Sequence, residues 1–331
     1  MSQDTVRIAT RGSRLALWQA RHVAGLLEAR GYKTSLTIIK TQGDLVQDRF
    51  LHEIGGKGLF IKELEASLLK KETDIAVHSL KDLPARVKAP FHLAALLKRH
   101  SPRDVLITKP SWTNNRAWGK GLITREEARE WQGVRLATAS LRRQALIKRN
   151  IPGAILEPVR GNVDTRIEKL KTGNWDGLIL AGASLERLGL TELPARELDE
   201  SWFIPAPGQG ALAIEALEDC SFLPVIQALG SEETRAHVTT EREVLGLLGG
   251  DCTMPFGCHV FFDAAQNLTT ARAIVLDGES GAAQCHRQRP GPHSAWSVQE
   301  LAQDLFQGLM ADGADKILNR LRITIPDLGK L

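Results

Sequence analysis

Basic residues stand where helices are expected to begin, and an acidic ligand is what such an arrangement would hold. Three segments read as a short apolar strand turning into a helix: 6–10 into 13–27, 134–138 into 140–149, and 155–159 into 162–171. Arg11, the pair Arg142 and Arg143, and Arg160 sit at the three turns. A helix N-terminus already carries about half a positive charge, so a cation there is locally unfavourable. The unpaired amides at the same place attract anions. Cations and amides gathered on one spot therefore suggest a bound polyanion. The alternative is that each arginine is solvated or paired with a neighbouring carboxylate. Strand-to-helix turns of an open α/β sheet share one edge, where ligands bind, so a repeat at three turns favours the ligand.

A second cluster follows the apolar run Asp74-Ile-Ala-Val, where His78, Ser79, Lys81 and Asp82 gather before Pro84. A carboxylate in a cationic site stays ionised, and it could stabilise a cation or shuttle a proton. A polar turn with a Lys–Asp pair would look the same. The glycine-rich stretch 43–58, with Lys57 between Gly56 and Gly58, lacks the phosphate-loop pattern and fits a lid or a simple long loop. Cys252 lies in Gly249-Gly-Asp-Cys-Thr-Met-Pro-Phe-Gly257, as an accessible nucleophile or as a buried structural thiol. Cys252, Cys258, His259, Cys285 and His286 could be considered for zinc. No Cys-x2-Cys occurs, and adjacent Cys-His side chains on a strand face opposite ways, so no metal is expected.

Alternating strand and helix patterns must position these groups. Strands are expected at 6–10, 34–39, 75–78, 105–108, 135–138, 155–159 and 177–180, with helices at 13–29, 60–69, 140–148, 163–170 and 183–188. The alternation is the signature of a mostly parallel sheet. Ile8-Ala-Thr-Arg-Gly-Ser echoes Leu136-Ala-Thr-Ala-Ser, and Asp74-Ile-Ala-Val echoes Asp176-Gly-Leu-Ile-Leu, as two similar α/β halves would. Segments 98–104 and 196–207 read as crossings between the halves, and 111–132 as an inserted loop or helical excursion. From residue 231 a helix (232–248), strands (259–262 and 268–276) and a helix near 298–312 form a small α+β region.

Composition narrows the function classes. The 331 residues fit two or three domains, and 43% hydrophobic with 25% charged residues is an ordinary globular balance. Net charge is only +4, yet residues 135–171 hold nine Lys/Arg against three Asp/Glu and no aromatic residue. A local positive field of this kind suits a small acidic molecule better than a nucleic acid, which would also want aromatic platforms. No membrane partner is expected, since no apolar run approaches a span. The start Met1-Ser-Gln-Asp-Thr has no signal-peptide character, so a cytoplasmic protein with reduced cysteines is expected.

Seven stretches in order resemble one family: residues 7–20, Gly55-Gly-Lys-Gly-Leu-Phe-Ile-Lys-Glu-Leu-Glu, Asp74–Pro84, Ser140-Leu-Arg-Arg-Gln, Arg160-Gly-Asn-Val, Pro205-Ala-Pro-Gly-Gln-Gly-Ala and Cys252-x-x-Pro-x-Gly. Together they resemble the hydroxymethylbilane synthases, also called porphobilinogen deaminases. The resemblance implies two periplasmic-binding-protein-like α/β domains around a cleft and a small α+β C-terminal domain: 1–98 with 204–228, 99–203, and 229–331. It implies stepwise condensation of four porphobilinogens into a linear tetrapyrrole with loss of ammonia, by a monomer. It implies a dipyrromethane cofactor joined by thioether to Cys252 and held by Ser79, Lys81, Asp82, Thr138, Ser140, Arg142, Arg143, Arg160 and Arg166. Substrate would meet Arg11, Ser13, Arg160, Arg166, Arg187 and Gln209, with Asp82 and Lys81 catalytic and Lys57 in the lid. Asp251, Ala139 and Ser184 depart from the family's usual residues. A non-enzymatic module that closes on a small anion is the competing expectation.

Overall fold

The alternation seen in the sequence folds into two five-stranded sheets with the same strand order. The computed structural model describes residues 5–41, 61–114, 119–251, 254–279, 281–321 and 323. Lys57, the whole 43–58 stretch and Cys252 lie outside the described residues. Chain contacts divide the molecule into two compact units. Unit 1 is Met1–His100, Arg187–Gly189 and Gly210–Arg235; unit 2 is Ser101–Glu186, Leu190–Gln209 and Ala236–Leu331.

Unit 1 is built on β1 (Thr5–Thr10), β2 (Lys33–Ile38), β3 (Ile75–Ser79), β4 (Phe91–Leu96) and β10 (Leu212–Leu217), in the order β2-β1-β3-β10-β4. Helix α1 (Arg14–Glu28) packs Ala20, Val23, Ala24 and Leu27 onto Val6, Ile8, Ile75 and Ile214. That i, i+3, i+4, i+7 spacing puts one apolar stripe against the sheet. Helix α2 (Lys62–Leu69) covers the other face, where Leu64 and Leu68 meet Ala9 and Ala76.

Unit 2 repeats the plan with β5 (Asp104–Thr108), β6 (Arg135–Ala137), β7 (Ile155–Glu157), β8 (Gly177–Ala181) and β9 (Ala195–Glu197), ordered β7-β6-β8-β5-β9. Its segment 110–129 forms two short helices, α3 (Pro110–Asn114) and α4 (Arg125–Arg129). Trp112 and Trp131 meet edge to face in the core beside them, so this stretch is a packed helical excursion. Helices α5 (Leu141–Asn150), α6 (Val163–Thr172) and α7 (Gly182–Leu188) follow β6, β7 and β8. In unit 1, α8 (Leu223–Gln227) packs beside β4.

The echo noted in the sequence corresponds to a repeat in the fold. Strands β1, β2 and β3 are parallel neighbours in the places that β6, β7 and β8 hold in the second sheet. Asp74 accepts the backbone N–H of Arg7 at 2.8 Å, and Asp176 accepts that of Arg135 at 2.8 Å. Ser13 caps α1 and Ser140 caps α5, each accepting an N–H three residues on.

The expectation of mostly parallel sheets needs correction. In each sheet two of the four pairings are antiparallel, made by β10 in one and β5 in the other. β10 is the first strand after the chain returns to unit 1 at Gly210, and β5 is the first after it enters unit 2 at Ser101. A strand arriving from elsewhere has no crossover helix to reverse it, so it is not bound to run parallel. The strands expected from the sequence also leave out β4, β9 and β10 of these two sheets, whose runs are short or begin next to Pro and Gly.

The remaining region opens with α9 (Glu232–Leu247). It continues as a three-stranded antiparallel sheet of β11 (Phe256–Asp263), β12 (Leu268–Leu276) and β13 (Ala282–Pro290). Helix α10 (Val298–Ala311), capped by Ser297, lays Leu301, Leu305 and Leu309 toward that sheet, and α11 (Ala314–Arg320) closes the described chain. Cys258 N donates to Pro205 O at 2.9 Å, tying β11 to the Pro-Ala-Pro-Gly segment.

Candidate functional site

The candidate residues of unit 1 lie on the loops that follow parallel strands. Arg11 and Ser13 stand between β1 and α1, and Ser79, Lys81 and Asp82 lie at the end of β3 and in the 3-10 turn Leu80–Asp82. β1 and β3 are paired parallel, so both loops leave the same sheet edge. Asp82 is exposed and Lys81 half-buried. Ser79 Oγ accepts from Nε2 of Gln19, a buried residue of α1, at 2.8 Å. Leu80 N donates to Ala211 O at 3.1 Å, which fixes the turn to the start of β10.

His78 does not join that cluster. Successive strand residues face opposite sides, so His78 points away from Ser79 and into the sheet, with Nε2 3.0 Å from Oε2 of the fully buried Glu215. Arg187 is 5% exposed, donates to Gly210 O at 2.6 Å and lies 5.9 Å over the ring of Trp18. Trp18 stacks on His22, whose pKa is lowered by burial first and then by His100 and Arg187.

In unit 2 the same edge carries Thr138 and Ser140 after β6, and Arg160 before α6. Thr138 is buried and its Oγ1 accepts from Ser140 N at 3.3 Å; Ser140 Oγ in turn accepts from Arg143 N at 3.5 Å. Arg160 precedes Gly161, whose φ of +107° turns the chain into the Asn162 cap of α6. A Cβ at Gly161 would sit 2.7 Å from Thr165, so the turn admits only glycine without a shift. Arg166 donates from Nε to Gly161 O at 2.7 Å, bringing its guanidinium back to the Arg160 turn.

Arg142 and Arg143 are buried rather than solvated, and they meet at Asp104. Arg143 donates from Nε to Asp104 Oδ1 at 2.9 Å and from Nη1 to Ile179 O at 3.1 Å. Arg142 Nη1 lies 2.8 Å from Asp104 Oδ2 and donates to Ile204 O at 2.8 Å. Gln209, with no exposed surface, donates to the same carboxylate at 3.1 Å and to Pro102 O at 2.6 Å. Carboxylate pairing was the alternative weighed for these arginines, and it accounts for part of their donors. Among the described residues the Arg142 Nε has no hydrogen-bond partner.

Two buried carboxylates, one in each unit, escaped the sequence reading. Asp104 opens the apolar strand Asp104–Thr108 and Glu215 interrupts Leu212–Leu217. One charge inside a buried apolar run was the signal, since such a charge needs a partner.

What the arrangement can do follows from its donors. In each unit, hydroxyl, side-chain cation and helix N-terminal N–H groups stand at the strand ends of its own sheet, and all can donate to carboxylates. Among the described residues no group of three His, Cys, Asp or Glu is arranged for a metal, and no helix is long and apolar enough to cross a membrane.

A duplicated α/β protein with donor-rich strand ends is the class that fold and site define. Residues 6–223 match the family described as "Porphobilinogen deaminase, dipyromethane cofactor binding domain". A porphobilinogen deaminase of Bordetella parapertussis is 40% identical over 326 residues, 98% of each chain. One of Xanthomonas euvesicatoria is 39% identical over 324 residues, 96% of this chain and 99% of that one. The chain belongs to the porphobilinogen deaminase family, a family of transferases. Among solved structures, substrate binding domain 2 of Lactococcus lactis GlnP gives a TM-score of 0.42 at 10% identity, covering 71% of this chain and 90% of that one. An ancestral cationic amino acid solute binding protein gives 0.41 at 13%, covering 68% and 87%.

Proposed function

We propose that the chain joins four porphobilinogens head to tail into the linear tetrapyrrole hydroxymethylbilane, releasing one ammonia per unit. The observation that carries this reading is the match to porphobilinogen deaminases along 98% of the chain. A dipyrromethane bound by thioether to Cys252 is part of the proposal. Its rings carry an acetate and a propionate each, and the donor set of unit 2 suits them: Arg142, Arg160, Arg166, Thr138 and Ser140 can donate, and Arg143 belongs to the same cluster. The buried Arg142 Nε, which has no hydrogen-bond partner among the described residues, fits a ligand carboxylate in particular. When bound, the group supplies the free pyrrole α-carbon on which the product is begun.

The chain's own residues then have distinct tasks. Asp82 accepts the N–H groups of the substrate pyrrole and offers a negative charge to the cation that forms when the aminomethyl C–N bond breaks. Its carboxylate also accepts a hydrogen bond from the protonated aminomethyl group, which leaves as ammonia. Lys81 and Ser79 line the same turn. Arg11, Ser13, Arg160, Arg166 and Arg187 bind substrate carboxylates, with guanidinium forks suited to that planar group, and Gln209 supports the site from behind. The work is divided over three parts, 1–98 with 204–228, 99–203 and 229–331, in a cytoplasmic monomer.

Intact mass of the purified protein tests the reading beside a Cys252→Ser variant. Excess mass of two linked pyrroles in the parent and none in the variant is the expected result. A bare mass that stays bare after incubation with porphobilinogen would return the protein to the class of reversible anion-binding modules.

A further inference from the structure

Asp104 has no role in the reading so far, yet three candidate binding residues converge on it. It has no exposed surface, and it stands at the head of β5. Arg143 reaches its Oδ1 through Nε at 2.9 Å and through Nη2 at 2.7 Å. Gln209 adds a third contact to Oδ1 at 3.1 Å, and Arg142 lies 2.8 Å from Oδ2. These contacts join Ser140-Leu-Arg-Arg-Gln to Pro205-Ala-Pro-Gly-Gln-Gly-Ala, two stretches 60 residues apart, through one carboxylate.

The charges and donors of the cluster are not balanced. Two guanidiniums face one carboxylate, so the four side chains carry one excess positive charge among groups that are 8% exposed or less. An excess charge in a buried setting is costly unless something opposite approaches it. The two arginines are also held differently. Arg143 has Nε, Nη1 and Nη2 all engaged, by Asp104 and Ile179 O. Arg142 is engaged through Nη1, while its buried Nε has no hydrogen-bond partner among the described residues.

We propose that Asp104 is a positioning residue for the reaction: it holds Arg143 as an anchor and aims Arg142 at a carboxylate of the bound pyrrole. The proposal rests on the reading above and assigns the acidic pyrrole as the group that balances the cluster. Asp104 itself touches no ligand. It acts through Arg142, because Arg143 Nη1 is closed by a carbonyl and Gln209 is tied to both Asp104 and Pro102 O.

A double-mutant cycle on apoprotein and on the loaded enzyme tests it. Covalent pyrrole mass is followed against porphobilinogen concentration for the parent, Asp104→Asn, Arg142→Lys and the double variant, with KM and kcat measured beside it. Asp104→Asn is expected to raise the concentration for half-loading, and KM, tenfold or more, with kcat within threefold. In the Arg142→Lys background the same change is expected to add less than twofold. Additive losses would overturn the proposal, since a merely structural residue weakens both backgrounds alike. Parent-like loading by Asp104→Asn would overturn it too, while leaving the proposed activity standing. No pyrrole mass on the parent itself would bring down that activity first. If Asp104→Asn does not fold, Asp104→Glu goes through the same cycle, because it keeps the charge but shifts it by one methylene.

Discussion

Asp82 carries the sharpest test at the scale of single residues, because its chemistry and its packing separate cleanly. It is exposed, in the 3-10 turn Leu80–Asp82 that follows a buried strand. Exposed side chains with few contacts change stability by about 0.5 kcal/mol or less when replaced. Asp82→Ala is therefore expected to leave the melting temperature within a few degrees while cutting turnover roughly a hundredfold or more, the scale of a lost proton-transfer or charge-stabilising group. Near-normal tetrapyrrole formation by a folded Asp82→Ala protein would remove the role assigned to it. The sequence made Asp82 visible because a charged turn after an apolar run is a local pattern. It hid His78–Glu215 and the Asp104 cluster, because those pairs bring together residues 137 and about 40 positions apart. The type of one partner says that a partner is needed but not where it comes from.

Elements were legible in proportion to how local their signals are. Helices α1, α5 and α6 each begin at a Ser or Asn whose side chain accepts an N–H three residues on, and each was expected within a residue or two of where it lies. Strands β4, β9 and β10 were not, since their place depends on pairing rather than on their own pattern. The caps make a prediction at this scale. Ser13→Ala and Ser140→Ala should each cost about 1 kcal/mol. The two helices belong to different units, so the double variant should lose the sum of the two within error, read by urea unfolding. Ser13 and Ser140 are also candidate ligand contacts, so both variants should weaken pyrrole loading as well. Equal loading by Ser140→Ala and by the parent would leave Ser140 with the cap as its only function.

On the scale of the whole molecule, a nearly neutral chain concentrates its positive charge where the acidic ligand is proposed to sit. The net charge is +4, yet residues 135–171 hold nine Lys/Arg and three Asp/Glu. Duplication explains how this could arise without disturbing the fold. Both sheets keep the same order and the same Asp-to-backbone bond, so the scaffold is constant, and the loops at the strand ends are what differ. One half presents Lys81 and Asp82 at the end of β3, and the other presents a run of arginines after β6 and β7. Each substrate brings two carboxylates, so the product gains two negative charges with every unit joined. Attraction between such a ligand and a partly exposed cationic edge is screened by salt over a Debye length of about 10 Å at 0.1 M and about 3 Å at 1 M. The buried Arg142 and Arg143 are shielded from that screening, whereas the half-exposed Arg160 and Arg166 are not. KM for porphobilinogen should accordingly rise several-fold between about 0.05 and 0.5 M salt, with kcat nearly constant. Arg160→Gln should flatten that dependence while raising KM at low salt. A KM indifferent to salt in the parent would mean that buried contacts alone read the carboxylates, and the field of the 135–171 segment would then have no part in binding.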